Sequence, residues 1–226
     1  MGHTHAISGA VLWLAAAGTV DRFAPALASH GVAETAAAAL VCAGAAMLPD
    51  LDHPNSTVAH ALGPVTHALA RGVARISGGH RHATHSLVFA AAAGAAGWKL
   101  GSAGTWWSAV PVVLLAALAL AALGVTHTIS AAVLAAAGAL YVLHAAGGTL
   151  AWLGPAVGLG CLAHILGDAL TERGVPLLWP FPGRIRFGAI DTGSLVERAV
   201  VAPCLVLAGS VFAAHIAGWS PTWWPA

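Results

Sequence analysis

Charge is what this sequence has least of. Acidic and basic side chains make up 8% of its 226 residues, against about 25% in a soluble domain. Nine Lys plus Arg against eight Asp plus Glu leave a net charge of +1, so the basic footprint of a nucleic-acid-binding protein is missing and no such partner is expected. Cysteine is scarce too: Cys42, Cys161 and Cys204 each lie inside an apolar run, far apart in sequence. That spacing makes neither a disulfide framework nor a thiolate zinc site and leaves them as small packing residues. The start, Met1-Gly2-His3-Thr4-His5, has no basic segment before its apolar run and no clear cleavage site after it, so no cleavable signal peptide is expected. A His-Glu-x-x-His motif is lacking, and Thr192-Gly193-Ser194 does not make a nucleophile elbow, which disfavours the protease classes.

Apolar residues fill the chain instead, at 58% with a mean hydropathy of +0.81. Apolar runs fall at 5–20, 33–48, 85–101, 106–124, 128–147, 149–170 and 195–217, close to the about 20 residues of a bilayer-spanning helix. The expectation is one all-α domain over 1–226, a multi-pass transmembrane helical bundle of six or seven helices with polar loops at about 49–84 and 171–194 on one face. The first two runs are short and rich in Ala and Gly, which suits helices tilted or packed inside the bundle. Prolines flanking Asp50-Leu51-Asp52-His53 predict a rigid, non-helical turn. A weak amphipathic helix fits 58–76, and Thr84 fits the N-cap of the third run. Turns near 101–105, 124–128 and 147–148 divide the central runs, and Trp219 with Trp223 and Trp224 look like an interfacial belt.

Histidine breaks the pattern: thirteen are present, more than Lys and Arg together. His164 and Asp168 stand four apart at the end of an apolar run, which on a helix sets them one turn apart on one face, able to grip one metal ion. Alone, such a pair is more often a satisfied core histidine and a helix-end acid; its companions change the balance. Asp50 and Asp52 could supply a terminal and a bridging carboxylate, although an isolated Asp-x-Asp is usually a solvated helix end. His80, His82 and His85 lie just before a helix, where the bland alternative is a His-rich surface loop. His5 is followed after four residues by Gly9, small enough to admit another helix closely.

Tracing the runs back and forth across a membrane from His5 puts Asp50 and Asp52, His80 and His85, the His127 link, and His164 with Asp168 on one side. Arg71, Arg75, Arg81, Arg173, Arg184, Arg186 and Arg198 share that side, with Arg22 and Lys99 opposite. The positive-inside rule then makes it cytoplasmic. Neutral imidazoles mixed with carboxylates suit zinc, manganese or iron, and two such ions can clamp attacking and leaving oxygens while bringing a water's pKa to about 7. Arg81 could hold a phosphate bidentately. Arg184 and Arg186 fit lipid-headgroup contact equally well. Glu197 is either a further ligand or a cap and ion-pair partner of Arg198.

His5-Ala6-Ile7-Ser8-Gly9, Leu48-Pro49-Asp50-Leu51-Asp52-His53, His80-Arg81-His82-Ala83-Thr84-His85-Ser86 and His164-Ile165-Leu166-Gly167-Asp168 together resemble the YdjM-like membrane-bound metal-dependent hydrolases. The similarity continues through Thr171, Gly174 and Pro180-Phe181 to Gly193-Ser194 and Glu197. Where the family's third motif usually has Gly, this chain has His82, which leaves His80 and His85 as the ligands of that motif. The resemblance implies a bacterial multi-pass inner-membrane protein, metal-dependent and hydrolytic. The His-x-x-x-Asp element is also similar to one in zinc-dependent phospholipases C, a local likeness.

The reading that joins these observations is a hydrolase of phosphoesters in membrane lipids or lipid-linked intermediates. His5, Asp50, Asp52, His80, His85, His164 and Asp168 would bind one to three divalent ions, zinc first and manganese second. Asp52, His80, Arg81 and Glu197 would assist the chemistry. The alternative is a divalent-metal transporter or sensor using the same cluster, which needs ligands along a path through the membrane; only His144 and His215 lie toward the other face. A haem protein would need facing mid-helix histidines, whereas His127, His144 and His164 fall at different depths.

Overall fold

The computed structural model describes residues 2–23, 31–61, 63–124, 128–146, 150–191 and 193–219. His127, the 147–148 turn, Thr192 and the Trp223–Trp224 part of the expected belt lie outside them. Among the described residues the chain is all-helical: α1 (Gly2–Phe23), α2 (Val32–Ala45), α3 (Thr57–His60), α4 (Pro64–Ser77), α5 (Leu87–Ser102), α6 (Thr105–Ala122), α7 (Thr128–Ala145), α8 (Leu153–Ala169) and α9 (Ala202–Ile216). The pairs Thr171–Ile190 and Val175–Ile185 form isolated bridges outside any strand. Two stretches, Val32–Asp52 and Glu197–Ile216, are long and apolar enough to cross a membrane, and Trp106–Ala122, Ile129–Ala145 and Leu153–Ala169 are shorter apolar helices.

Seven of these elements follow the seven apolar runs, because little but helix lets a continuous apolar stretch satisfy its own backbone. α2, expected to be tilted or interior, is the buried centre: Val41, Cys42, Ala43 and Ala45, with Met47 just beyond it, are all fully buried. It is hemmed in by α1, α6 and α8, and glycine makes that possible. A Cβ on Gly9 of α1 would stand 2.7 Å from the Cys42 carbonyl, one on Gly160 of α8 2.3 Å from the same oxygen, and one on Gly44 would overlap the Leu115 backbone of α6. α5 and α8 run antiparallel along a second glycine seam, where a Cβ on Gly154 would meet Trp98 at 2.8 Å and the Gly94 carbonyl at 2.9 Å.

The connections differ from expectation in instructive ways. Pro49–Asp52 is one turn of 3-10 helix with Pro49 at its start, since proline is excluded only from positions whose N–H must be bonded. The amphipathic stretch divides into α3 and α4 at Gly63, which takes a positive φ of 61°, followed by Pro64 at the start of α4. Ser86, rather than Thr84, caps α5 by accepting from the Phe89 N–H at 3.2 Å. Residues 170–190 fold back over the end of α8, with Phe187 and Ala189 donating N–H bonds to the Ala169 and Leu170 carbonyls.

Candidate metal centre

Four segments meet at one end of this bundle: the start of α1, the turn after α2, the turn before α5 and the end of α8. They bring together every residue singled out as a ligand. His5, His164 and Asp168 form one group able to hold an ion, and Asp50, Asp52, His80 and His85 form another. The groups touch: His85 Nε2 and His164 Nε2 are 3.2 Å apart.

The imidazoles are locked in orientation. His164 Nδ1 lies 2.6 Å from the Ala46 carbonyl of α2, an acceptor only, so Nδ1 carries the proton and the Nε2 lone pair faces inward. His85 Nδ1 lies 3.3 Å from Asp52 Oδ2, which likewise turns its Nε2 inward. Histidines that ligate metals are held in this way, with the distal ring nitrogen donating to a carbonyl or carboxylate. From His85 Nε2 the distances are 3.4 Å to Asp168 Oδ2 and 3.9 Å to Asp50 Oδ1; from His164 Nε2 both are 3.6 Å. A tetrahedral ion with bonds of about 2.0–2.2 Å separates its ligand atoms by about 3.3–3.6 Å. The His85–Asp168, His164–Asp168 and His164–Asp50 separations match that spacing, with His85–Asp50 longer, at a site where His85 and His164 are fully buried and Asp168 is 2% exposed. Asp168 is buried while Asp50, its side chain 20% exposed, closes the cluster toward the outside.

His5 completes the cluster from α1. Its ring stacks on His164 with centroids 4.0 Å apart, and its Nε2 lies 3.6 Å from Asp168 Oδ1. Gly9, one turn further along α1, permits the approach to α2 expected of a small residue there. Gly167 leaves space for the His5 ring, which a Cβ would meet at 3.3 Å.

Other predicted residues take different places. Both Asp52 oxygens are occupied: Oδ1 by His80 Nδ1 at 2.9 Å, Oδ2 by the Arg81 N–H at 3.0 Å and the Thr84 hydroxyl. Its placement suits orienting the histidines more than bridging two ions. Arg81, expected to reach for phosphate, turns inward instead. Its backbone has a positive φ of 60°, and the 5% exposed side chain donates to Asp168 Oδ1 at 2.7 Å and Thr171 Oγ1 at 2.8 Å. That leaves Asp168 Oδ2 for an ion. Glu197 accepts from Thr4 Oγ1 at 2.7 Å and the Gly193 N–H at 2.6 Å, tying α1 to the turn that leads into α9. Thr84, Thr171 and the Ala46 carbonyl were not foreseen as parts of the site. The threonines stand beside His85 and three after Asp168, and both fall within the stretches that carry the resemblance.

His85, in the turn before α5, feels opposing influences. Burial pushes its imidazolium pKa down, but the Asp168 and Asp52 carboxylates bonded to its ring outweigh burial and hold it up at about 9. In the absence of an ion a proton takes the cation's place.

An all-helical chain with a buried cage of imidazoles and carboxylates at one end defines a helical protein with a candidate metal centre. Residues 1–223 match the family described as YdjM inner membrane protein, and the chain belongs to it. It is similar to the inner membrane protein YdjM of Escherichia coli (strain K12) and that of Shigella flexneri, each 29% identical over 170 residues, covering 71% of this chain and 58% of the relative. The chain thus matches over little more than half the length of these relatives. No solved structure matches.

Proposed function

We propose that this protein is a membrane-embedded, metal-dependent hydrolase that cleaves phosphoesters of a lipid or lipid-linked substrate at the cytoplasmic face of the membrane. The observation that carries this reading is that His85 Nε2 and His164 Nε2 both face Asp50 and Asp168, with both imidazole protons turned outward. The membrane setting is supported by the apolar helices and by the relatives' name, inner membrane protein.

His85, His164, Asp50 and Asp168 would hold the ion, with His5 beside them; zinc, or else manganese, suits this donor set. Such an ion would supply a Lewis acid for the phosphoryl oxygen and an acidified water. The protein's own residues do the rest. Asp52 fixes His80 through Nδ1, leaving Nε2 of a side chain 29% exposed to take and return a proton. Arg81 acts as a positioning residue that holds Asp168. Gathering the ligands at one end of the bundle favours chemistry at a surface over passage of the ion through the membrane.

The test is metal content by mass spectrometry on detergent-purified protein beside Asp168→Ala, followed by turnover of phospholipid and polyprenyl-phosphate substrates. At least one zinc or manganese ion per chain, lost with turnover in the variant, is the expected result. No bound metal in the wild type, even after reconstitution, would remove the premise.

A further inference from the structure

A cavity of about 370 Å³ runs between α1, α8 and α9, starting at the metal cluster. Its two ends differ in chemistry. Thr4, His5, Ser8, Asp168, Thr171 and Glu197 line the head, while Leu12, Ala15, Ala163, Leu166, Val201 and Leu205 line the shaft. Pockets for small polar molecules scatter polar groups around the ligand; here they sit at one end only. The shaft is half-enclosed, and its α9 wall belongs to the apolar stretch Glu197–Ile216. That wall opens with a π-helical turn, Glu197–Val201, a distortion frequent at functional sites.

Length narrows the occupant further. From Thr4 to Ala15 along α1 is about 16 Å at 1.5 Å per residue. One leaflet of hydrocarbon, half of a core about 30 Å thick, is about 15 Å deep. The groove therefore has the depth of one leaflet, with its polar end at the metal cluster. Small residues on its walls, Ala15 and Ala163, keep it open.

We infer that this groove receives one hydrocarbon chain of the substrate lipid, entering sideways from the bilayer, so that the phosphoester next to that chain lies at His5 and Asp168; the inference rests on the hydrolase reading. It confines the substrate to lipids whose phosphoester is close to the start of a chain, and leaves the remainder of the headgroup outside.

The experiment uses the full chain in phosphatidylglycerol vesicles doped with a phosphatidylglycerol bearing a photoreactive diazirine near the end of one acyl chain. After irradiation, labelled peptides are mapped. Label is expected to concentrate on the peptides holding Leu12, Leu166, Val201 and Leu205, severalfold above the exposed α6 and α7 surface at Leu114 and Leu140, and to drop severalfold in Leu205→Trp and in Ala15→Phe. Metal content and melting of both variants show that they remain folded. Even labelling over all helices, or enrichment that survives both fillers, overturns the groove. Enrichment with no metal or turnover keeps the groove while removing the hydrolase; turnover with even labelling does the reverse.

Discussion

Asp52 is the residue at which the site's logic can be tested most sharply. As an ion-bridging ligand its loss would empty the site; as an orienter its loss only loosens the histidines. Both oxygens accept hydrogen bonds, from His80 on one side and from Arg81 N and Thr84 on the other. Asp52→Asn keeps the shape but turns an NH2 toward one set of donors. The expected outcome is a metal affinity lower by about 10–100-fold, the range for partners behind a ligand, with the ion still bound at saturation, measured by competition against a chromogenic chelator. Complete loss of the ion would return Asp52 to the ligands. His85 adds a pH dependence. Its folded, ion-free pKa of about 9 exceeds the unfolded value of about 6.5, so its protonation stabilises the ion-free fold below about 6.5, and that contribution is lost as pH rises through about 9. A metal must displace the same proton, so apparent affinity rises up to tenfold per pH unit toward about 9 and then levels. Melting with and without chelator at pH 6.5 and 9 checks this: the gap should widen at the higher pH. The ligand types were legible because titratable groups are so rare in this chain. The inward turn of Arg81 was not, because it follows from a left-handed backbone at a residue whose type gives no warning of it.

At the scale of helices, the cage depends on how closely α8 approaches α2. Gly160 stands one turn before His164, and its would-be Cβ lies 2.3 Å from the Cys42 carbonyl and 2.7 Å from Ala45 Cβ. A methyl there must push α8 outward, away from the Ala46 carbonyl that holds His164 Nδ1 at 2.6 Å. Gly160→Ala should cost about 1–3 kcal/mol, the range for overpacking, and weaken metal binding as well. Gly138→Ala on α7, where a Cβ meets nothing within 4 Å, is the control and should leave both unchanged or raise melting slightly. Melting and metal content of the two proteins, side by side, decide the matter. Equal behaviour would mean that the bundle gives way without disturbing the site. The seven long helices and their order were readable from the runs of apolar residues, whereas the division of 58–76 into α3 and α4 was not. The glycine seams were visible only as composition, since a sequence does not say which glycine faces which helix; Gly9, near His5, was the exception. The helix ends were the weakest part: Ser86 rather than Thr84 caps α5 because Ala83–His85 forms its own 3-10 turn and the helix begins only at Leu87.

For the molecule as a whole, the open matter is which side of the membrane the site faces, because this fixes the leaflet that supplies its substrate. α5 begins beside His85 and ends at Ser102, so the Trp106–Trp107 end of α6 is opposite the metal cluster, while α4 and the loop carrying Phe187 are on the cluster's side. Ile76, Phe187 and Trp106 are 89%, 69% and 76% exposed, so each accepts a cysteine reporter. Cys42 and Cys161 are buried and Cys204 is exposed, so Cys204→Ser provides the background. If the arginines at 71, 75, 173, 184 and 186 are held in the cytoplasm, a membrane-impermeant maleimide on intact cells will label Trp106→Cys and spare Ile76→Cys and Phe187→Cys, which will react only after lysis. The substrate would then be a lipid of the inner leaflet. The opposite pattern would turn the site outward, leave those arginines to bind anionic headgroups on the far side, and move the search for substrate to the outer leaflet, with the same cage of histidines and aspartates doing the same chemistry.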